Sequence, residues 1–99
     1  MAFTRISVEE AKVLIEKTEV TLADVRDSAS FSAANIPNAL HVSNESVSAF
    51  IETANKDKPL IIYCYHGNSS QGAADHFSQQ GFKDVYSLDG GFEEWRLKS

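Results

Sequence analysis

This chain is nearly free of cysteine: its one thiol is Cys64. A single thiol cannot close an intramolecular disulfide, and without a partner it cannot run a Cys-x-x-Cys redox cycle, so thioredoxin-like chemistry is excluded. Long apolar runs are missing too, and Met1-Ala2-Phe3-Thr4-Arg5 has no hydrophobic signal region. Neither a membrane span nor a secretory leader is expected, and the expected location is cytoplasmic. Positive charge is scarce: the net charge is -5, and the arginines are Arg5, Arg26 and Arg96 alone, without the basic patch that nucleic acid requires. His41, His66 and His76 with one cysteine form no ligand spacing for a structural zinc, so no metal and no cofactor are expected. Repeats and low-complexity segments are absent.

What is present is a globular composition. With 99 residues, 42% of them hydrophobic and 23% charged, the chain reads as a single domain, residues 1–99, able to bury a core without disulfides or metals. Ser7-Val8-Glu9-Glu10 has the form of a capping box, and Val8, Ala11, Leu14 and Ile15 give the helix behind it one apolar face. Residues 20–25 and 39–42 read as strands, with a short helix at 28–34 between them. Ser43 or Asn44 can cap a helix carrying Val47, Phe50, Ile51 and Ala54. Lys58-Pro59-Leu60-Ile61-Ile62-Tyr63 has no polar face and reads as a strand covered on both sides, and residues 85–88 form a further strand before a last helix from Gly91 to about Lys98. Strands alternating with helices imply a mainly parallel sheet with helices on both faces, a three-layer α/β domain, because parallel neighbours need crossover connections.

Cys64 falls where this buried strand ends. Ser69 and Ser70 are N-cap candidates for the helix that follows, which carries Ala73, Ala74 and Phe77 and stops at Gly81. A thiol between a strand end and a helix N-terminus faces unpaired amide N–H groups and the positive end of the helix dipole. Such surroundings lower a thiol from about 8.5 to about 3.5–7.5, which makes Cys64 a candidate nucleophile. The amides of residues 65–70 form a candidate anion cradle, and Gly67 lets its backbone curl inward.

Three segments in order resemble the single-domain rhodanese family of thiosulfate sulfurtransferases, in the type whose active loop reads Cys-Tyr-His-Gly-Asn-Ser as residues 64–69 do here. Asp24-Val25-Arg26-Asp27 with Phe31 and Ile36-Pro37-Asn38-Ala39 resembles the family's first motif, and residues 88–95, Leu-Asp-Gly-Gly-Phe-Glu-Glu-Trp, its closing motif. Ala34, Asn35 and Asn38 depart from the first motif, where rhodaneses more often carry Gly-His before the Ile-Pro and Gly after it. The resemblance implies a rhodanese-like three-layer domain with a mainly parallel central sheet of about five strands. It also implies ping-pong sulfur transfer: the Cys64 thiolate takes the outer sulfur of thiosulfate, and the persulfide hands it to cyanide or a thiol acceptor, a thioredoxin-like protein among them. One cysteine is enough for that cycle.

Each residue of the loop also has a plainer reading. His66 either bonds the donor's sulfonate or points to solvent; Ser69 and Ser70 either donate hydroxyls to the persulfide or only cap the helix. Tyr65 is expected to give its amide to the cradle with its ring at the pocket mouth, and Asn68 belongs to the same loop. Asp24, Arg26 and Asp27 are expected to form a structural ion pair or turn rather than a site. A cysteine phosphatase or arsenate reductase is disfavoured, because Cys-x5-Arg would place arginine where Ser70 stands. A rhodanese-like sulfur carrier or partner-binding module with little turnover on free thiosulfate is the alternative.

Overall fold

In the computed structural model, which describes residues 3–98, five strands alternate with five helices: β1 (Thr4–Ile6), α1 (Val8–Lys17), β2 (Thr21–Asp24), α2 (Ser28–Ala33), β3 (Leu40–His41), α3 (Val47–Thr53), β4 (Leu60–Tyr63), α4 (Ser69–Ser78), β5 (Val85–Leu88) and α5 (Gly91–Leu97). The strands form one parallel sheet in the order β1-β5-β4-β2-β3. β4 is central, with Leu60, Ile61 and Ile62 in register with β5 on one side and β2 on the other. All four of its residues are fully buried. Its side chains alternate between two cores, as a pleated strand requires. Ile61 and Tyr63 join Val8, Ala11 and Phe92 under α1 and α5, whereas Leu60 and Ile62 join Phe50, Ala74 and Phe77 under α3 and α4. Those are the three expected layers.

Local signals place most elements. Ser7 caps α1 through its hydroxyl, which accepts the Glu10 amide, while the Glu10 carboxylate accepts the Ser7 amide. The cap position of α3 is Ser46, not the expected Ser43 or Asn44; the Ser43 hydroxyl instead accepts the amides of Glu45 and Ser46 and organises the turn ahead of the helix. Asp27 caps α2 by accepting the Ser30 amide. The departure at Asn38 is absorbed by one backbone conformation. Ala39 donates to the Ile36 carbonyl across Pro37 and Asn38, and Asn38 takes φ +71°, the left-handed value that glycine adopts freely and asparagine tolerates.

β1 has no counterpart in the sequence reading. It is a three-residue edge strand with only Ile6 buried, paired with Tyr86–Leu88 of β5. A segment that short and polar carries no periodicity, and only the open edge of β5 makes it a strand.

Candidate active site

The end of β4 delivers Cys64 into a buried position, 4% exposed, at the carboxyl edge of the central strand. Its sulfur accepts the Gly67 amide at 3.2 Å and the Ser70 amide at 3.3 Å. Ser69 and Ser70 are therefore not the N-caps expected of them. α4 starts at Ser69, the cap position is Asn68, and the Asn68 side chain makes no capping bond. The sulfur of Cys64 takes over that role by accepting the amide of Ser70, the second helical residue. The Ser70 hydroxyl is directed inward, 2.7 Å from that of Ser87 on β5.

The loop's shape follows from where its carbonyls are held. Phe92 donates its amide to the Cys64 carbonyl at 2.9 Å, and Glu93 to the Tyr65 carbonyl at 3.1 Å. A trans peptide points its carbonyl and N–H in opposite directions, so the amides of Tyr65 and His66 turn away from α5. Gln71 donates its side-chain amide to the Gly67 carbonyl at 2.9 Å and holds that peptide as well. Two glycines let the backbones approach this closely. A Cβ on Gly67, at φ +94°, would lie 2.9 Å from the Gly90 nitrogen. One on Gly91, at φ +59°, would lie 2.6 Å from the Cys64 and Tyr65 carbonyl oxygens.

Electrostatics at the sulfur run in two directions. Burial pushes the thiol up, but the Ser70 hydroxyl and the amides of Ser70, Gly67 and His66 together outweigh it and hold Cys64 below the ordinary thiol value. Charge-assisted hydrogen bonds favour the thiolate, and no Lys or Arg in residues 64–70 contributes.

The other expected residues divide into loop and frame. Tyr65 is 40% exposed, and its hydroxyl lies 2.9 Å from that of Ser30. His66, Asn68 and Ser69 are exposed on the loop, whereas Gly67 and Ser70 are buried. Asp24 and Arg26 form a buried ion pair, with Arg26 Nη2 2.6 Å from Asp24 Oδ2 and 2.6 Å from the Ala34 carbonyl. The guanidinium also sits 4.3 Å from the Phe92 ring centroid, so this structural pair braces the helix that fastens the loop. His41 is structural, with Nε2 2.6 Å from the Arg26 carbonyl and its ring stacked on Phe31.

Ser87, Gln71 and the amides of Phe92 and Glu93 were not anticipated as parts of the site. Gly90-Gly91 was legible only as part of the closing motif, and a buried serine in an apolar strand was the one signal that marked Ser87.

The family described as Rhodanese-like domain matches residues 7–98. A thiosulfate sulfurtransferase GlpE of Tolumonas auensis is 47% identical over 94 residues, 95% of this chain and 89% of the relative. A protein of the same name from Pseudomonas savastanoi pv. phaseolicola is 53% identical over 94 residues, 95% of this chain and 88% of the relative. The crystal structure of a rhodanese-related protein from Thermoplasma volcanium superposes with a TM-score of 0.83 at 24% identity, covering 98% of this chain and 94% of that one.

Proposed function

The chain belongs to the rhodanese-like domain family and is a thiosulfate sulfurtransferase, and from that premise we propose that Cys64 is the nucleophile and that residues 65–70 bind the anionic sulfur. The observation that carries this reading is the sulfur of Cys64 accepting the Gly67 and Ser70 amides at 3.2 and 3.3 Å while the neighbouring amides turn away from α5.

In the first half-reaction the Cys64 thiolate attacks the outer sulfur of thiosulfate. The new S–S bond forms as the bond to the sulfonate sulfur breaks, and sulfite leaves with that electron pair, so the charge of thiolate plus dianion becomes that of persulfide anion plus sulfite. In the second, the acceptor's electron pair attacks the outer persulfide sulfur and the thiolate returns: cyanide leaves as thiocyanate, and a thiolate acceptor leaves as its own persulfide. No step needs a resolving thiol. An S–S bond carries the outer sulfur about 2 Å beyond the buried Sγ, so an acceptor needs to reach only that outer atom. The amide of Tyr65, which does not bond the sulfur of the resting thiol, is available to this outer sulfur and to the sulfonate, and the amide of His66 already faces the sulfur. The acceptors fitting this site are cyanide and thiols, a thioredoxin-like protein included.

Residues 1–99 act as one domain in this reading. Among the described residues no helix is long and apolar enough to cross a membrane. We place the protein in the cytoplasm, where a lone thiol stays reduced between turnovers.

Intact mass spectrometry after thiosulfate exposure tests the assignment. The expected result is the gain of one sulfur atom, lost again with cyanide and absent from Cys64→Ser. Sulfur retained by Cys64→Ser would remove Cys64 as the nucleophile.

A further inference from the structure

We propose that Ser87 is a positioning residue: its hydroxyl donates to Ser70 Oγ and thereby commits the single hydroxyl proton of Ser70 to the sulfur of Cys64. Both serines are fully buried, with their oxygens 2.7 Å apart, and Ser70 also touches that sulfur through its amide.

Counting protons sets the direction of the bond. A serine hydroxyl has one proton to give and two lone pairs to accept with. Among the described residues Ser70 Oγ is the sole side-chain hydrogen-bond partner of Ser87 Oγ. If Ser70 donated to Ser87, the Ser87 proton would have no acceptor at its fully buried position, and Ser70 would turn a lone pair toward a sulfur that carries negative charge. In the opposite direction Ser87 donates to Ser70, and the Ser70 proton is left to turn to the sulfur that its own amide already bonds at 3.3 Å. A hydroxyl that accepts a bond while donating one is polarised and becomes the better donor.

The surroundings of Ser87 give it no other purpose. It lies on β5 in step with Val85, on the face that packs against Ala74 and Phe77 of α4. An alanine there would bury without cost, whereas a hydroxyl needs a partner to offset its desolvation. The Ser70 hydroxyl is also the strongest of the influences that lower the Cys64 thiol, which fits a donor held in place from behind.

The proposal rests on Cys64 being the sulfur-bearing nucleophile, but its test requires no sulfur donor. The pH profile of iodoacetamide alkylation reads thiolate formation directly in the wild type, Ser87→Ala, Ser70→Ala and the double variant, with circular dichroism to confirm folding. Ser87→Ala is expected to raise the midpoint by roughly 0.5–1 pH unit, a three- to tenfold smaller thiolate fraction below it. In the Ser70→Ala background the same substitution is expected to add nothing. An unchanged midpoint in Ser87→Ala, or an equal shift with and without the Ser70 hydroxyl, overturns the proposal. Should Ser87→Ala fail to fold, Ser87→Thr and Ser87→Val have nearly the same shape and differ by the hydroxyl. Thr is expected to keep the wild-type midpoint and Val to raise it, and equal midpoints overturn the proposal. A wild type that takes no sulfur from thiosulfate would remove the sulfurtransferase reading and leave this comparison intact.

Discussion

The amide of Phe92 donates to the carbonyl of Cys64 at 2.9 Å, so the last helix is fastened to the residue that bears the thiol. That bond turns the first peptide of the loop, and it exists because Gly91 lets the two backbones touch.

Gly91→Ala is accordingly expected to cost about 2–4 kcal/mol, because it combines left-handed strain with contact against backbone that cannot yield. Gly72, in α4, is the control: its Cβ would meet nothing within 4 Å. Replacing it with alanine is expected to stabilise the helix by roughly 0.5–1 kcal/mol. Urea melts of the two variants check both signs, and sulfur transfer should fall in the first and hold in the second.

The pH dependence follows from the depressed Cys64 thiol. Alkylation and persulfide formation should rise through the folded value and level off below the pH at which an ordinary thiol ionises. The linked stability has the same sign. An acid whose folded value lies below its unfolded one adds stability that is complete above the unfolded value and is lost as pH falls through the folded value. The stability difference between wild type and Cys64→Ser should therefore move in favour of the wild type as pH rises across that window. A pH-independent difference in urea melts would contradict it.

The buried pair of Asp24 and Arg26 should show its worth when broken. Asp24→Ala leaves a guanidinium that is 6% exposed without its carboxylate, at an expected cost of about 3–5 kcal/mol. Replacing both by apolar residues of similar volume, Asp24→Leu with Arg26→Met, should cost less than Asp24→Ala alone, since no uncompensated charge remains. Equal losses would show that the pair acts through packing alone.

Thiosulfate is a dianion, and the loop offers it amide dipoles without a Lys or Arg. Its KM should lie near the top of the usual enzyme range, about 1 mM or above. Saturation at micromolar thiosulfate would show that a cation outside residues 64–70 takes part.

A good part of this molecule could be read without coordinates. The capping box at Ser7, the unbroken apolar run of β4 and the break to a polar loop at Cys64 are local signals. They place the thiol between strand and helix, the absence of a second cysteine excludes dithiol cycling, and the absence of a loop arginine disfavours phosphate chemistry. β1 escaped because a three-residue edge strand takes its structure from β5, not from its own pattern. Ser70 was misread as a cap because a serine ahead of an apolar helical face looks the same whether its hydroxyl bonds its own helix or a neighbour.

Residue order by itself therefore determined the setting of one thiol: amides in place of cations, and a strand–loop–helix to hold it. Tertiary structure decided how that thiol is held. Ser70 meets Ser87 across 17 residues of chain, and Gly91 and Phe92 return to a loop that β4 ended long before. No short-range pattern encodes such meetings, since they arise only when parallel strands bring the carboxyl ends of β4 and β5 side by side.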